Sequence, residues 1–286
     1  MIEEPLNLSH KSLLSASLRA CGSPLSEYSF ANLYLFREKH AYSVLIDQEI
    51  FIRGKSYSGS DYVMPIRDVR KIDKAVLDGM IDRYGRLFPI PEEWLAAFPA
   101  PEYSSTFDAA ESDYLHRIEN LATYPGRNFH SKRNLLHQFQ DSYASAALPL
   151  TNDRLADARK VLDIWNETSD LPPEATDYGA CLEALSLYEE LVLCGGIYYA
   201  DGEPAGFIIG EELDPATFVL HFAKADRRIK GIYQYMYQQF AGIMPAKYAV
   251  FNFEQDLGLD SLRQTKASYH PDRMGAKYRI ERSAQG

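Results

Sequence analysis

The chain has 286 residues, 46% apolar and 24% charged, the balance of a globular protein and not of a disordered or fibrous one. Its formal net charge of -10 argues against broad, sequence-independent binding to DNA or to an anionic membrane, which needs a positive surface. No window approaches the roughly 18 uninterrupted apolar residues of a membrane span, and the acidic start MIEEPLNLSHKS is unlike a basic secretory leader, so a cytoplasmic location is expected.

The length exceeds what one compact core usually holds, and two domains are expected, 1–140 and 141–286. In the first half, helical patterning covers Ser9 to Cys21 and Tyr28 to Glu38. A meander follows: Tyr42 to Ile46, a turn at Asp47-Gln48, Glu49 to Arg53, a Gly/Ser loop, and Tyr62 to Pro65. Next come a helix from about Val69 to Tyr84, a short strand Arg86 to Ile90 and a proline-initiated helix at Pro91. The boundary falls between Gln138 and Pro149, ahead of the second half's opening strand. Helices are then read over Asp153 to Trp165 and Tyr178 to Leu193. A second meander consists of Ile197 to Ala200, the turn Asp201-Gly202, Pro204 to Gly210, and Thr217 to Phe222. Ile229, Ile232, Tyr233, Met236, Tyr237 and Phe240 share one helical face, Tyr248 to Phe253 reads as a strand, Leu257 to Tyr269 as a helix, and Lys277 to Ile280 as a last strand. Cys21, Cys181 and Cys194 have neither the count nor the spacing of a disulfide framework and are read as reduced core thiols.

The order strand, two helices, three-strand meander, helix, strand, helix, strand occurs twice, and it is the order of GNAT acyltransferases. The expected fold is therefore mixed α/β: two tandem GNAT-like domains, each a mainly antiparallel sheet flanked by helices. Three stretches resemble the C-terminal domain of bacterial phosphatidylglycerol lysyltransferases, relatives of Fem-type aminoacyl transferases. They are LSEYSFANLYLF (Leu25 to Phe36), GRNFHSKRN (Gly126 to Asn134) and NFEQDLGLDSLRQTKASYHP (Asn252 to Pro271). The resemblance implies transfer of an amino acid from aminoacyl-tRNA to an acceptor such as a lipid head group. It implies the fold more firmly than the reaction.

In a GNAT fold the last meander strand and the next strand splay apart, leaving backbone groups that can hold a donor's acyl arm; here these are Thr217 to Lys224, with His221, and Tyr248 to Phe253. The loop carrying Lys224, Arg227, Arg228, Lys230 and Gly231 enters a helix N-terminus, where free N–H groups favour an anion. Arg228-x-x-Gly231 partly matches an acetyl-CoA pyrophosphate loop, but bulky Tyr233 stands where a small residue is expected. Asn252, Glu254 and Asp256 end the strand, and Arg263 and Lys266 share a face of the next helix; a carboxylate there can take the acceptor's proton while a cation binds phosphate or the oxyanion. The plainer alternative is that Asp256 caps the helix and Arg263 pairs with a carboxylate. Tyr269 and His270 precede Pro271 at the cleft edge, with packing the simpler role for Tyr269. Arg127, His130, Lys132, Arg133 and Asn134 concentrate charge near the expected domain junction, as a ligand patch or as partners of surface carboxylates.

The histidines show no metal-ligand spacing, and no catalytic metal is expected. The expected activity is thus a group transferase, with aminoacyl-tRNA or acyl-CoA as donor and a small molecule or lipid head group as acceptor. A ligand-binding protein that has lost donor chemistry, and an acetyl-CoA-dependent N-acetyltransferase, are the alternatives.

Overall fold

A computed structural model describes residues 1–57 and 59–283. In chain order the elements are β1 (Ile2–Pro5), α1 (Lys11–Ala20), α2 (Phe30–Leu35), β2 (Ser43–Ile46), β3 (Ile50–Lys55), β4 (Asp61–Pro65), α3 (Lys74–Tyr84), β5 (Leu87–Pro91), β6 (Tyr103–Phe107) and β7 (Asp113–Arg117). They continue with α4 (Ile118–Thr123), α5 (His130–Ser142), β8 (Ser145–Pro149), α6 (Leu155–Glu167), α7 (Tyr178–Ser186), β9 (Cys194–Ala200), β10 (Glu203–Asp214) and β11 (Thr217–Ala225). The last are α8 (Ile232–Ile243), β12 (Val250–Asn252), α9 (Asp260–Ala267), β13 (Arg273–Gly275) and β14 (Lys277–Arg282).

The chain forms two compact units, the first of Met1–Tyr114, Gln255–Arg263 and the stretch from Met274, the second of Leu115–Glu254 and Gln264–Arg273. Residues 115–140, grouped with the first half from the sequence, thus lie in the second unit. One seven-stranded sheet has the order β1-β2-β3-β4-β5-β14-β6 and the other β8-β9-β10-β11-β12-β7-β13. Each begins with four antiparallel strands, and its fourth and fifth run parallel. The sixth position is filled by a strand from far along the chain, antiparallel to the fifth: β14 against β5, and β7 against β12.

Local chemistry sets the helix boundaries. The expected helix from Val69 divides into a 3-10 turn, Val69–Lys71, and α3, whose N-cap Asp73 accepts the Ala75 N–H. Pro91 is followed by a 3-10 turn over Glu92–Ala97 in place of a helix. The helix expected to reach Leu193 stops at Ser186. Of the three cysteines read as core thiols, Cys181 is buried and Cys194 is exposed.

The parallel pairs are short. β4 and β5 meet at Val63↔Leu87, and β11 and β12 pair over Thr217↔Val250, Phe218↔Phe251 and Val219↔Asn252, after which β11 continues to Ala225 without that neighbour. Just beyond this point the register between β10 and β11 shifts: Ile209 faces Phe222 while Gly210 faces Leu220, so His221 is the extra residue of a β-bulge. The bulge brings backbones so close that a Cβ on Gly210 would lie 2.0 Å from the Val219 carbonyl oxygen. Gly210→Ala is expected to spread the bulge and lose about 1–3 kcal/mol, read as a lowered thermal midpoint.

Candidate functional site

The bulge places the His221 ring in the second unit where β11 and β12 part. Its Nδ1 lies 2.8 Å from Glu254 Oε1 and its Nε2 3.0 Å from Glu211 Oε1, and its side chain is fully buried. Burial opposes charge on the ring, but hydrogen bonds and attraction from Glu211 and Glu254 outweigh it and push the pKa up to about 9. At neutral pH the ring is an imidazolium donating to both carboxylates. Their side chains keep about 15% of their surface open, so they are held from behind and face solvent in front.

Glu254 reaches the ring from an unusual backbone. It has φ 58, in the left-handed region that few residues with a side chain adopt, and its N–H donates to Asn252 Oδ1 at 2.6 Å. Asn252 is wholly buried at the end of β12. The same splay that leaves the β11 edge without a strand neighbour beyond Val219 thus carries a carboxylate–imidazolium–carboxylate row. Such a row can accept a proton from an attacking nucleophile, while backbone N–H groups of an open strand edge can stabilise an oxyanion.

The remaining donor-loop residues are held by their own surroundings. Lys224 pairs with Asp177 at 2.6 Å and sits 3.7 Å over the Trp165 ring, with the Arg227 guanidinium 5.1 Å from the same ring. Arg228 clamps Asp226, Nε to Oδ1 at 2.8 Å and Nη2 to Oδ2 at 2.7 Å, and its own N–H also donates to Asp226. Lys230 is exposed, and the Tyr233 ring lies 6.5 Å from that of Tyr237, tilted 34° to it. Gly231 has φ 86, and a Cβ there would lie 2.2 Å from the Leu135 carbonyl oxygen. The glycine thus permits the close approach of α5 to α8.

Of the five residues grouped as catalytic from the sequence, Asn252 and Glu254 belong to the second unit with His221, and Asp256 and Arg263 are assigned to the first, 3.3 Å apart, with the Tyr114 hydroxyl donating to Asp256 at 2.6 Å. Burial works against the Asp256 charge, but Tyr114, the Gly258 amide and Arg263 hold its carboxyl below the usual range. The pair has the geometry that the plainer alternative describes, an arginine against a carboxylate. Lys266 lies half-buried on α9 in the second unit.

The basic segment is largely fastened. Arg133 donates to the carbonyls of Tyr124 and Gly126, His270 Nε2 contacts the Asn128 carbonyl at 3.1 Å, and Asn134 lies 3.4 Å from His130 Nδ1. Lys132 donates to Ser268 at 2.7 Å over the Tyr269 ring, and Tyr269 is buried, its hydroxyl accepting from Gln234. Arg127 and His130 are exposed.

Two groups were not singled out from the sequence. Glu211 occurs in an apolar strand, and the doublet Glu211-Glu212 there was its one signal. In the first unit Lys277 is wholly buried, its Nζ 2.6 Å from Asp113, 2.7 Å from Glu27, 3.0 Å from Gln255 and 3.3 Å from Ser26. Glu27 and Ser26 belong to the LSEYSF stretch, which this cluster explains.

Among the described residues no helix is long and apolar enough to cross a membrane, and no group of three or more His, Cys, Asp or Glu side chains is placed to hold a metal ion. Two sheets whose fourth and fifth strands run parallel over a short stretch define a tandem GNAT-like fold. The chain belongs to the family described as phosphatidylglycerol lysyltransferase, C-terminal, whose profile matches residues 20–281. A conserved protein of unknown function from Bacteroides thetaiotaomicron is 26% identical, with a TM-score of 0.85 over 99% of this chain and 100% of that one. L-PGS from Bacillus licheniformis shares the fold at 14% identity and TM-score 0.63, over 99% of this chain and 94% of that one. FemX shares it at 7% identity and TM-score 0.56, over 98% and 97%. No curated protein matches in sequence.

Proposed function

We propose that the protein transfers an aminoacyl or acyl group from an activated donor, such as aminoacyl-tRNA, to an amine or hydroxyl, using the splay between β11 and β12. The observation that carries this reading is the His221 row, set by a bulge at the point where a GNAT-like fold receives its donor carbonyl. The donor carbonyl lies against the open β11 edge. Glu254 takes the proton of the attacking amine or hydroxyl, the strand-edge N–H groups hold the oxyanion, and collapse breaks the ester bond and expels the tRNA hydroxyl, which takes that proton from Glu254 and regenerates the carboxylate. His221 keeps the two carboxylates apart and oriented. Positioning supplies most of the acceleration, since both reactants are held and no covalent intermediate is needed.

Family and fold support group transfer, and the loop chemistry favours a donor other than CoA: Arg228 is engaged with Asp226, and Gly231 with Leu135. The test is transfer of label from a mixed aminoacyl-tRNA pool, and in parallel from acyl-CoA, to a panel of lipid head groups, amines and polyols. With whichever pair turns over, Glu254→Gln should reduce the rate by about 10²-fold or more while its circular dichroism and melting profile stay native. Undiminished transfer in that variant would remove Glu254 from the reaction. Lys266→Ala in the same assay reads whether that lysine serves the donor's phosphate.

A further inference from the structure

We infer that Asn252 is a positioning residue for the transfer proposed above: its side chain holds Glu254 in a left-handed turn and thereby holds the Glu254 carboxylate against the His221 ring. The inference rests on reading the His221 row as the transfer site, but the hold itself is a property of the folded chain and can be measured without a substrate.

Asn252 is firmly anchored. Its backbone lies between two strands, parallel to Val219 of β11 and antiparallel to Leu115 of β7, and the residue is wholly buried. Phe253 fixes the next step of the chain, its ring stacked on Tyr237 at 4.8 Å and 4.4 Å from the His116 ring. A strand that kept its course from here would run on beside β11 and close the edge that is open beyond Val219. Glu254 turns the chain aside instead. It does so with φ 58, a conformation in which the Cβ of an ordinary residue crowds its own backbone.

Nothing in a glutamate favours that conformation, so its surroundings must hold it. The Asn252 side chain supplies the hold: Oδ1 accepts the N–H of Glu254, two residues on, at 2.6 Å, the bond of an Asx turn, which pins the peptide between Phe253 and Glu254. From that peptide the Glu254 side chain reaches His221 Nδ1 at 2.8 Å, while Glu211 meets Nε2 at 3.0 Å. The two carboxylates are positioned differently. Glu211 is carried by β10, paired with Val219 of β11, whereas Glu254 lies past the end of β12 and takes its direction from the turn. With an extended or right-handed backbone at 254 the carboxylate would point elsewhere, and His221 would keep Glu211 alone. Asn252 is too deeply buried to touch a reactant, so its loss should slow the chemical step and leave substrate binding in place.

Asn252→Leu has nearly the same volume and no acceptor, and Asn252→Asp keeps the acceptor oxygen. NMR of protein labelled with 13C-histidine follows the His221 ring, identified by the signal missing from His221→Asn. The wild-type midpoint should lie at about 9. In Asn252→Leu it should fall by about 1–2 pH units, the effect of one opposite charge withdrawn, and in Asn252→Asp it should stay at or above the wild-type value. Where Asn252→Leu does not fold, Asn252→Ala carries the same reading. A midpoint unmoved in the leucine or alanine variant, or one that falls equally in Asn252→Asp, overturns the inference. With a donor and acceptor that turn over, kcat should drop about tenfold in Asn252→Leu at unchanged KM and recover in Asn252→Asp; an undiminished kcat overturns it too. If no pair turns over even with wild-type protein, the transfer reading fails, whereas the titration still decides whether Asn252 holds Glu254.

Discussion

Lys277→Met should lower the thermal midpoint by about 10 °C. The ammonium is wholly buried in the first unit and faces Asp113 and Glu27 at 2.6 and 2.7 Å, with Gln255 and Ser26 completing its donor set. Asp113 accepts from both the backbone and the hydroxyl of Ser26, so it cannot turn away. Burial, aided by Asp113, raises the Glu27 pKa even against the pull of Lys277. Methionine fills the same space and leaves two carboxylates facing each other without a cation, a loss of about 3–5 kcal/mol for a broken buried pair; at roughly 2–4 °C per kcal/mol for a chain of this size, that gives the predicted shift. In the variant, Glu27 binds its proton more tightly in the folded than in the unfolded state. Stability should then recover as pH falls, and Glu27→Gln added to Lys277→Met should restore part of it at pH 7. Melting by circular dichroism at pH 5 and 8 checks both; a variant that melts with the wild type would show that the cluster does not hold β14 in place.

His221→Asn should cost about 3 kcal/mol at pH 6, and much less at pH 10. The native pKa of about 9 lies above the ordinary histidine value of 6.5 because the Glu211 and Glu254 hydrogen bonds overcome burial. The folded state therefore binds the proton more tightly. Its stabilising contribution is complete below pH 6.5 and declines as pH rises through 9. Urea unfolding of both proteins at pH 6, 7.5 and 10 should show the gap closing, and a gap constant with pH would mean that the ring is not charged in the native state. If the row serves transfer as proposed, the variant also loses activity at every pH, because Glu254 loses the partner that fixes its direction.

The meanders were legible because their signals are local: alternating β-branched and aromatic residues with Asp-Gly or Gly/Ser turns gave β2 to β4 and β9 to β11 within a few residues at most ends. β6 and β7 were not. YSSTF is mostly exposed and DYLHR is buried at four of five positions, so neither alternates clearly. That β14 pairs with β5 and β7 with β12 is a long-range choice that no window records. The site divides in the same way. His221 and Glu254 were both marked, under separate roles, and their contact spans 33 residues that a loop and helix α8 fold back. A bulge is invisible in sequence except for its glycine. Asp256 and Arg263, seven residues apart, form an ion pair in the structure, and the same spacing and charges read in sequence as either site chemistry or a structural pair.

The strand order of the first sheet has a consequence for synthesis. β5 keeps an open edge, and β6 has no neighbour there, until residues 277–282 arrive to lie between them. On the ribosome β5 and β6 therefore wait for a strand made much later, residues 277–282. The unit that is made first is completed last, and truncation or stalling ahead of β14 releases a chain with two unpaired strand edges, a substrate for chaperones and for aggregation.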